Sequence, residues 1–299
     1  MADPRCHSLA WSETENHSDK KDRVVRNMTI TRYDDPTLSG DSQQTHYLRC
    51  ANFMLAMTRV SGRMVLSRDN PDEYMVVAPP GLQVRLEAGE QEVCGKGDDL
   101  FIVPPGASRL IVEGEGYLAR IFSHCAEDLA VRAVNQHQYR SGTPQVTPLT
   151  PWPAPLEGYR LRHYRLENYV DPTLPGRAFR CSNLMVNITD VYPGQRDSRK
   201  LKPHSHQDFE QITLTCAGQF VHHLRSPWGG DSTQWQADEH LTLGSPTAIS
   251  IPPGLIHTSQ AMEQGCWLID IFAPPRMDFS RVPGFVRNAD EYPLPCLQE

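Results

Sequence analysis

His204, His206 and Glu210 fall within the short segment KPHSHQDFEQ, residues 202 to 211. Side chains two apart point the same way along an extended strand, so alternation puts the two imidazoles on one face. Glu210 follows a short turn at Gln207 and Asp208 and reaches the pair from the next strand. A third imidazole, His257, stands in IPPGLIHTS. Three imidazole nitrogens and a carboxylate oxygen suit a borderline divalent ion: iron(II), manganese(II), nickel(II) or zinc(II). Such a set on an octahedral ion leaves two positions open for substrate, water or dioxygen. The bland alternative is a polar surface loop, which a lone HxH usually is.

The elements that would bring these residues together are short strands. Many of the 25 prolines and 20 glycines separate β-rich runs such as YMVVAPPGLQVRLE, DLFIVPPGASRLIVE, EQITLTCAGQFVHHL and AISIPPGLIHTS. Close-spaced strands with Pro/Gly turns predict a β-sandwich or barrel. One helix is expected, over residues 126–137, with Leu129, Val131 and Val134 as a partial apolar stripe. The chain also repeats itself. DPTLSG at 35–40 returns as DPTLPG at 171–176, RCANFMLAMT at 49–58 as RCSNLMVNIT at 180–189, and IVPPGASR at 102–109 as SIPPGLIH at 250–257. Three ordered matches indicate a duplicated unit. A Pro-rich linker, residues 141–158, divides the halves. The expected plan is a polar tail (1–27), a first β-domain (28–140), the linker, a second β-domain (159–285) and a C-terminal tail (286–299).

His204-Ser205-His206, Glu210 and Gly218, followed by Pro252-Pro253-Gly254 and His257, resemble the two motifs of the cupin superfamily. The resemblance has departures. The glycine that opens the first motif is displaced to Gly194, seven residues rather than six separate Glu210 from Gly218, and seven rather than five separate Gly244 from Pro252. The asparagine often found after the last histidine is Ala261. With the repeat, the likeness covers most of the chain as a bicupin. It implies an all-β fold of two double-stranded β-helix (jelly-roll) barrels with few short helices, and a metal inside the second barrel. His204, His206, Glu210 and His257 are the implied ligands of one divalent metal per chain, iron(II) favoured.

Aligning the halves through Glu73 and Glu210 places Gly81 opposite Gly218, Ser67 opposite His204, Asp69 opposite His206 and Arg109 opposite His257. A guanidinium cannot ligate a metal, and Arg109 can either pair with Glu73 or Asp69 where the ion would sit or line a merely solvated barrel mouth. No metal is expected in this half. Its expected role is structural, packing against the second barrel or completing a homodimer. In QFVHHLRSPW, His222 shares the face of Phe220 and is expected inside the barrel as a general acid/base, with His223 outside. Gln211, Arg225 and His240 are candidate substrate contacts. Trp228 and Trp235 read as packing or rim aromatics, and Asp270 as a satisfied core acid.

The formal charge of −7 and the lack of a Lys/Arg-rich block argue against a nucleic-acid partner. No apolar run is long enough to span a membrane. The eight cysteines are scattered, without a CxxC pair, and the first residues lack the apolar stretch of an export signal. A cytoplasmic protein with reduced thiols is expected. The leading functional expectation is an iron(II) dioxygenase acting on a small oxygenated molecule that chelates the metal. The alternatives are a redox-neutral isomerase or lyase using manganese, nickel or zinc, and a non-catalytic binding or storage protein.

Overall fold

The computed structural model describes residues 28–38, 44–174 and 176–295. Within them the chain is all-β, as expected. The strands in chain order are β1 (Thr29–Arg32), β2 (Thr45–Arg49), β3 (Phe53–Asn70), β4 (Tyr74–Ala78), β5 (Leu82–Ala88), β6 (Gln91–Gly95), β7 (Asp99–Val103) and β8 (Gly106–Ser123). A single-turn helix, α1 (Glu127–Ala130), follows. After it come β9 (Arg162–Arg165), β10 (Arg177–Arg180), β11 (Met185–Ile188), β12 (Gln211–Ala217), β13 (Gln219–Arg225), β14 (Glu239–Gly244), β15 (Thr247–Ile251), β16 (Ile256–Ala261) and β17 (Trp267–Phe272), then α2 (Met277–Ser280). No helix of the described residues is long and apolar enough to cross a membrane.

The first barrel is built on the antiparallel ladder of β3 and β8, which pair along their whole length from Phe53↔Ser123 to Asn70↔Gly106. Its sheet runs β2-β3-β8-β4-β7-β9, with β5 beside β8 and β6 beside β5. Within the ladder Gly62 faces Gly114. Gly114 has φ +133°, and a Cβ there would lie 2.3 Å from the Gly81 carbonyl oxygen, so only glycine fits. The second barrel packs the sheet β1-β15-β12-β17-β11-β10 against β14-β13-β16.

The halves do not divide where the sequence suggests. β1 pairs with β15 of the second barrel, and β9 pairs with β7 of the first, so each half lends an edge strand to the other. The linker is held to both halves. Leu149 N–H donates to Asn52 Oδ1, Thr147 N–H to the Asp208 carbonyl and Trp152 N–H to the Ser182 carbonyl. The described part of the C-terminal segment is no tail either: Asn288 and Tyr292 are both 1 % exposed. Residues 1–27 lie outside the described residues.

The expected helix over 126–137 breaks after α1. Val134 N–H is taken by the Tyr47 carbonyl and the Asn135 side chain by both backbone groups of Arg49, so tertiary hydrogen bonds replace the helical ladder. Val131 and Val134 are exposed instead of forming a stripe.

Strand alternation sorts the interior into separate cores. Met75 and Val77 of β4 face the same apolar cluster as Ile212 and Leu214 of β12, Val186 of β11 and Ile269 and Ile271 of β17. This cluster is the seam between the barrels. Tyr74, Val76 and Ala78 point the other way, into a first-barrel interior filled by Leu86, Phe101, Leu110 and Phe122. The corresponding inward residues of β12 are Gln211, Thr213 and Thr215, all buried and polar. The first barrel is thus packed with hydrocarbon, while the second encloses polar groups.

Candidate metal centre

The histidine segment is not a continuous strand. It is a loop held by an isolated bridge between His204 and His257, whose backbone groups exchange hydrogen bonds at 3.1 and 2.8 Å. A third bond, from Gly254 N–H to the His206 carbonyl at 2.7 Å, ties the PPG turn to the HxH loop. Both motifs are therefore locked to each other by the main chain. The consequence is convergence: one ring nitrogen from each of His204, His206 and His257 lies within 4.8 Å of the others. Among the described residues, this is the group of three or more potential ligands that gathers closely enough for a metal ion.

Two of the rings, His204 and His257, are oriented from behind. His204 Nδ1 faces the Lys202 carbonyl at 3.1 Å and His257 Nδ1 the Leu255 carbonyl at 3.0 Å. A carbonyl only accepts, so Nδ1 carries the proton and Nε2 is the acceptor nitrogen. His257 Nε2 is buried with no hydrogen-bond partner in the structure. Burial, then neighbouring His204, pushes His257 down to about 3, and burial holds His206 well below its ordinary value. These imidazoles are neutral at physiological pH, the form that binds metals.

Glu210, the expected fourth ligand, does not join them. Its Oε2 accepts from Ala51 N–H at 2.5 Å and its Oε1 from Tyr139 O–H at 3.1 Å, both groups of the first half. The residue beside the imidazoles is Gln211, whose Oε1 lies 2.9 Å from His206 Nε2. Parity on the strand explains the exchange. Ile212 faces the seam, so Gln211 faces inward and Glu210 outward. The signal was present in the sequence, since six residues separate Gln211 from Gly218. The amide is fixed in one sense, because its Nε2 donates to Thr213 Oγ1 at 2.7 Å and Asp270 Oδ1 at 2.9 Å. Thr213 also donates to Asp270 Oδ1, at 2.8 Å. An ionised carboxylate only accepts, so Gln211 must present its oxygen to the histidines. Asp270 does more than satisfy itself in a core: it positions this amide.

The donor set fits a first-row divalent ion. Two cis ligands at roughly 2.1 Å from an octahedral ion lie about 3.0 Å apart, close to the His206–Gln211 separation. His257 Nε2 is a buried, unpartnered lone pair on the same spot. Imidazole nitrogens with one amide oxygen suit iron, manganese, nickel or zinc.

The group lies between two spaces. A chamber of about 40 Å³, room for a few waters, is lined by Tyr192, Arg196, Lys202, His204, Gln211, His257, Thr258, Ser259, Leu268 and Asp270. A groove of about 470 Å³ opens on the other side, past His204, His206, Phe209 and Arg276. Arg276 is stacked 3.9 Å over the Phe279 ring and is ion-paired with Asp278. His206 stacks on Phe209 at 4.3 Å.

The remaining expectations divide. His222 is inside the barrel, 2 % exposed, with Nδ1 2.9 Å from Ser259 Oγ, and burial lowers it to about 4. It is one hydrogen bond removed from the chamber rather than part of its wall. Arg225 is not at the site: it is exposed and forks onto Asp238 at 2.6 Å. His240 pairs with His223 on the outer face, and Trp228 stacks on Trp235 at 4.5 Å, both exposed. In the first half, Arg109 does not meet Glu73 or Asp69 but Glu87, at 3.4 Å. Glu73 is fully buried and bound to the second half: its Oε2 accepts from Ser182 N–H and Oγ–H and its Oε1 from Tyr292 O–H. Sequence reasoning passed over Tyr192, Arg196 and Lys202, which lie outside the motifs.

No family model and no curated protein matches the chain. Solved structures do. The protein Ylba from E. coli is 12 % identical, with a TM-score of 0.53 covering 86 % of this chain and 95 % of that one. AerE from Microcystis aeruginosa is 12 % identical at a TM-score of 0.50, covering 77 % and 92 %. Oxalate decarboxylase from Bacillus subtilis, whose structure concerns its Mn(II) centres, is 13 % identical at a TM-score of 0.50, covering 83 % and 77 %. At these identities the likeness shows the fold: the chain has the cupin fold, with two barrels in one polypeptide.

Proposed function

We propose that the protein is a metal-dependent cupin oxidoreductase, an iron(II) dioxygenase of a small oxygenated substrate that chelates the metal. The observation that carries this reading is the convergence of three imidazoles and an oriented amide oxygen beside a small polar chamber. His204, His206, His257 and Gln211 would hold the ion. When bound, the ion would supply positive charge and adjacent open positions that orient two small reactants. The donors are all uncharged, so the dication keeps its full charge toward the substrate. Asp270 and Thr213 hold the amide, and the Lys202 and Leu255 carbonyls hold the rings. His222, hydrogen-bonded to Ser259 of the chamber wall, would take up or return a proton through that hydroxyl.

A redox-neutral lyase or isomerase would use the same residues. The Mn(II) centres named for the oxalate decarboxylase of like fold favour it as the second reading. Metal analysis of protein purified without added metal, followed by a substrate screen with and without dioxygen, tests both. The dioxygenase reading expects one iron per chain, oxygen uptake matched to turnover, and loss of both in His257→Ala with the β-fold retained. Undiminished anaerobic turnover would move the case to the redox-neutral reading. Full metal occupancy in His257→Ala would refute the ligand set.

A further inference from the structure

We propose that Arg196 is the residue that recognises substrate, and that the substrate class is a small carboxylate bearing a second oxygen donor, such as a 2-oxo or 2-hydroxy acid. The inference rests on the metal-dependent reading above and deepens it. Arg196 lines the chamber together with His204, His257 and Gln211. Its loop is fastened to β16 at three points. Arg196 N–H donates to the Ala261 carbonyl at 2.9 Å, its carbonyl accepts from Gln260 Nε2 at 2.8 Å, and its Nη1 donates to the Ser259 carbonyl at 2.9 Å. The guanidinium is thereby held at the wall with donors to spare. Among the described residues no carboxylate is paired with it. Asp197, next in the chain, turns to Arg199 instead.

The charge balance calls for an anion. Asp270 is the acid on the chamber wall, and its carboxylate is already engaged by Gln211 and Thr213. Arg196 on the same wall balances that single negative charge. A dication on four neutral donors would add two positive charges with no protein charge to offset them. Like charges in so small a space repel strongly. A carboxylate relieves this by placing one oxygen toward the metal position and the other toward Arg196, whose planar fork matches it. A chamber of about 40 Å³ admits such a head group and little more, so the rest of the substrate stays small or extends outward.

The test compares pyruvate with butane-2,3-dione, an uncharged analogue of the same dioxygen-donor shape. Binding to Mn(II)-loaded protein is read by calorimetry and by the Mn(II) resonance spectrum, without turnover. Wild type is expected to prefer pyruvate by at least about tenfold, the scale of one charge-assisted contact. Arg196→Gln is expected to lower that preference by about tenfold, leaving what the metal's own charge supplies, while keeping its metal content and its affinity for the dione. Arg196→Lys should keep part of the preference, which separates lost recognition from a damaged fold. An unchanged pyruvate-to-dione ratio in Arg196→Gln would overturn the proposal, as would no preference in wild type. If the protein binds no metal at all, the functional reading fails by itself. Arg196 is then tested in metal-free protein by its modification with phenylglyoxal, mapped by mass spectrometry. Protection by pyruvate but not by the dione supports the assignment, and equal modification in both refutes it.

Discussion

Replacing Gln211 by glutamate changes one atom at the centre of the site. In the wild type, Gln211 Nε2 donates to Asp270 Oδ1 at 2.9 Å. In Gln211→Glu an oxygen faces that oxygen. Two unit charges at this distance repel by about 6 kcal/mol at an effective dielectric of 20. The metal-free protein avoids part of this by protonating one carboxyl. Protonating an ordinary glutamate at pH 7 costs about 4 kcal/mol, which caps the penalty, and at pH 5 the same step costs about 1 kcal/mol. The variant should therefore be less stable than wild type by up to ~4 kcal/mol at pH 7 in chelator, with most of that deficit gone at pH 5. With a divalent ion bound, the added carboxylate faces a cation, and the variant should recover stability and bind metal more tightly. Urea unfolding at both pH values, with chelator and with added metal, measures all four conditions. Equal stability of variant and wild type at pH 7 in chelator, or a deficit that does not change with pH, would refute the Gln211–Asp270 arrangement.

Glu210→Gln tests the other half of that assignment. It should cost roughly 1.5–3 kcal/mol in unfolding experiments, the scale of hydrogen bonds to a charged group, and leave metal content per chain unchanged. Gly218→Ala should destabilise by at least about 2 kcal/mol. Gly218 has φ +72°, and an added Cβ would sit 2.6 Å from Cys266 Sγ and 2.9 Å from its Cα, so thermal unfolding should occur at lower temperature. Stability of the metal-free protein should also depend on pH. Burial lowers His222 from 6.5 to about 4 and His257 from 6.5 to about 3, so the unfolded chain binds these protons more readily. The stability is present above about pH 6.5 and is lost as pH falls toward the folded values, by up to ~1.4 kcal/mol per pH unit for each histidine. Unfolding free energies that stay flat from pH 7 to 4 in chelator would contradict the burial of neutral imidazoles.

The sequence made the histidines legible because their spacing is local and their partner lies behind a PPG turn that recurs in both halves. It made the two barrels legible through the repeat. At Glu210 residue type and strand register point to different side chains. A carboxylate is the more familiar ligand, but a strand alternates, and the side chain that shares the inner face with Thr213 is Gln211. Counting back from Gly218 would have found it. The exchange of β1 and β9 was not legible, since edge pairing between halves leaves no periodicity in either strand. The helix at 126–137 failed for the same kind of reason: its backbone and Asn135 are claimed by β2, which lies far away in the chain.

The glutamate shared by both halves has a physical reason other than metal binding. Glu210 accepts from Ala51 N–H and Tyr139 O–H, and Glu73 accepts from Ser182 N–H and Tyr292 O–H. Ala51 and Ser182 occupy equivalent places in the RCANFM and RCSNLM segments. Asn135 bonds both backbone groups of Arg49, and Asn288 does the same for Arg180. Each half thus grips the carboxylate of the other with a backbone N–H and a tyrosine hydroxyl, and Ser182 Oγ–H adds a third bond to Glu73. Separating the halves would leave two carboxylates stripped of these partners and would expose the apolar seam. That accounts for a first barrel whose interior is filled with Phe101, Leu86 and Leu110 yet whose Glu73 is fully buried. The ligand positions of that barrel can differ freely, because nothing in the grip depends on them. In the second barrel the grip and the metal centre sit on adjacent residues, so fixing Glu210 from the first half also fixes where Gln211 enters the chamber.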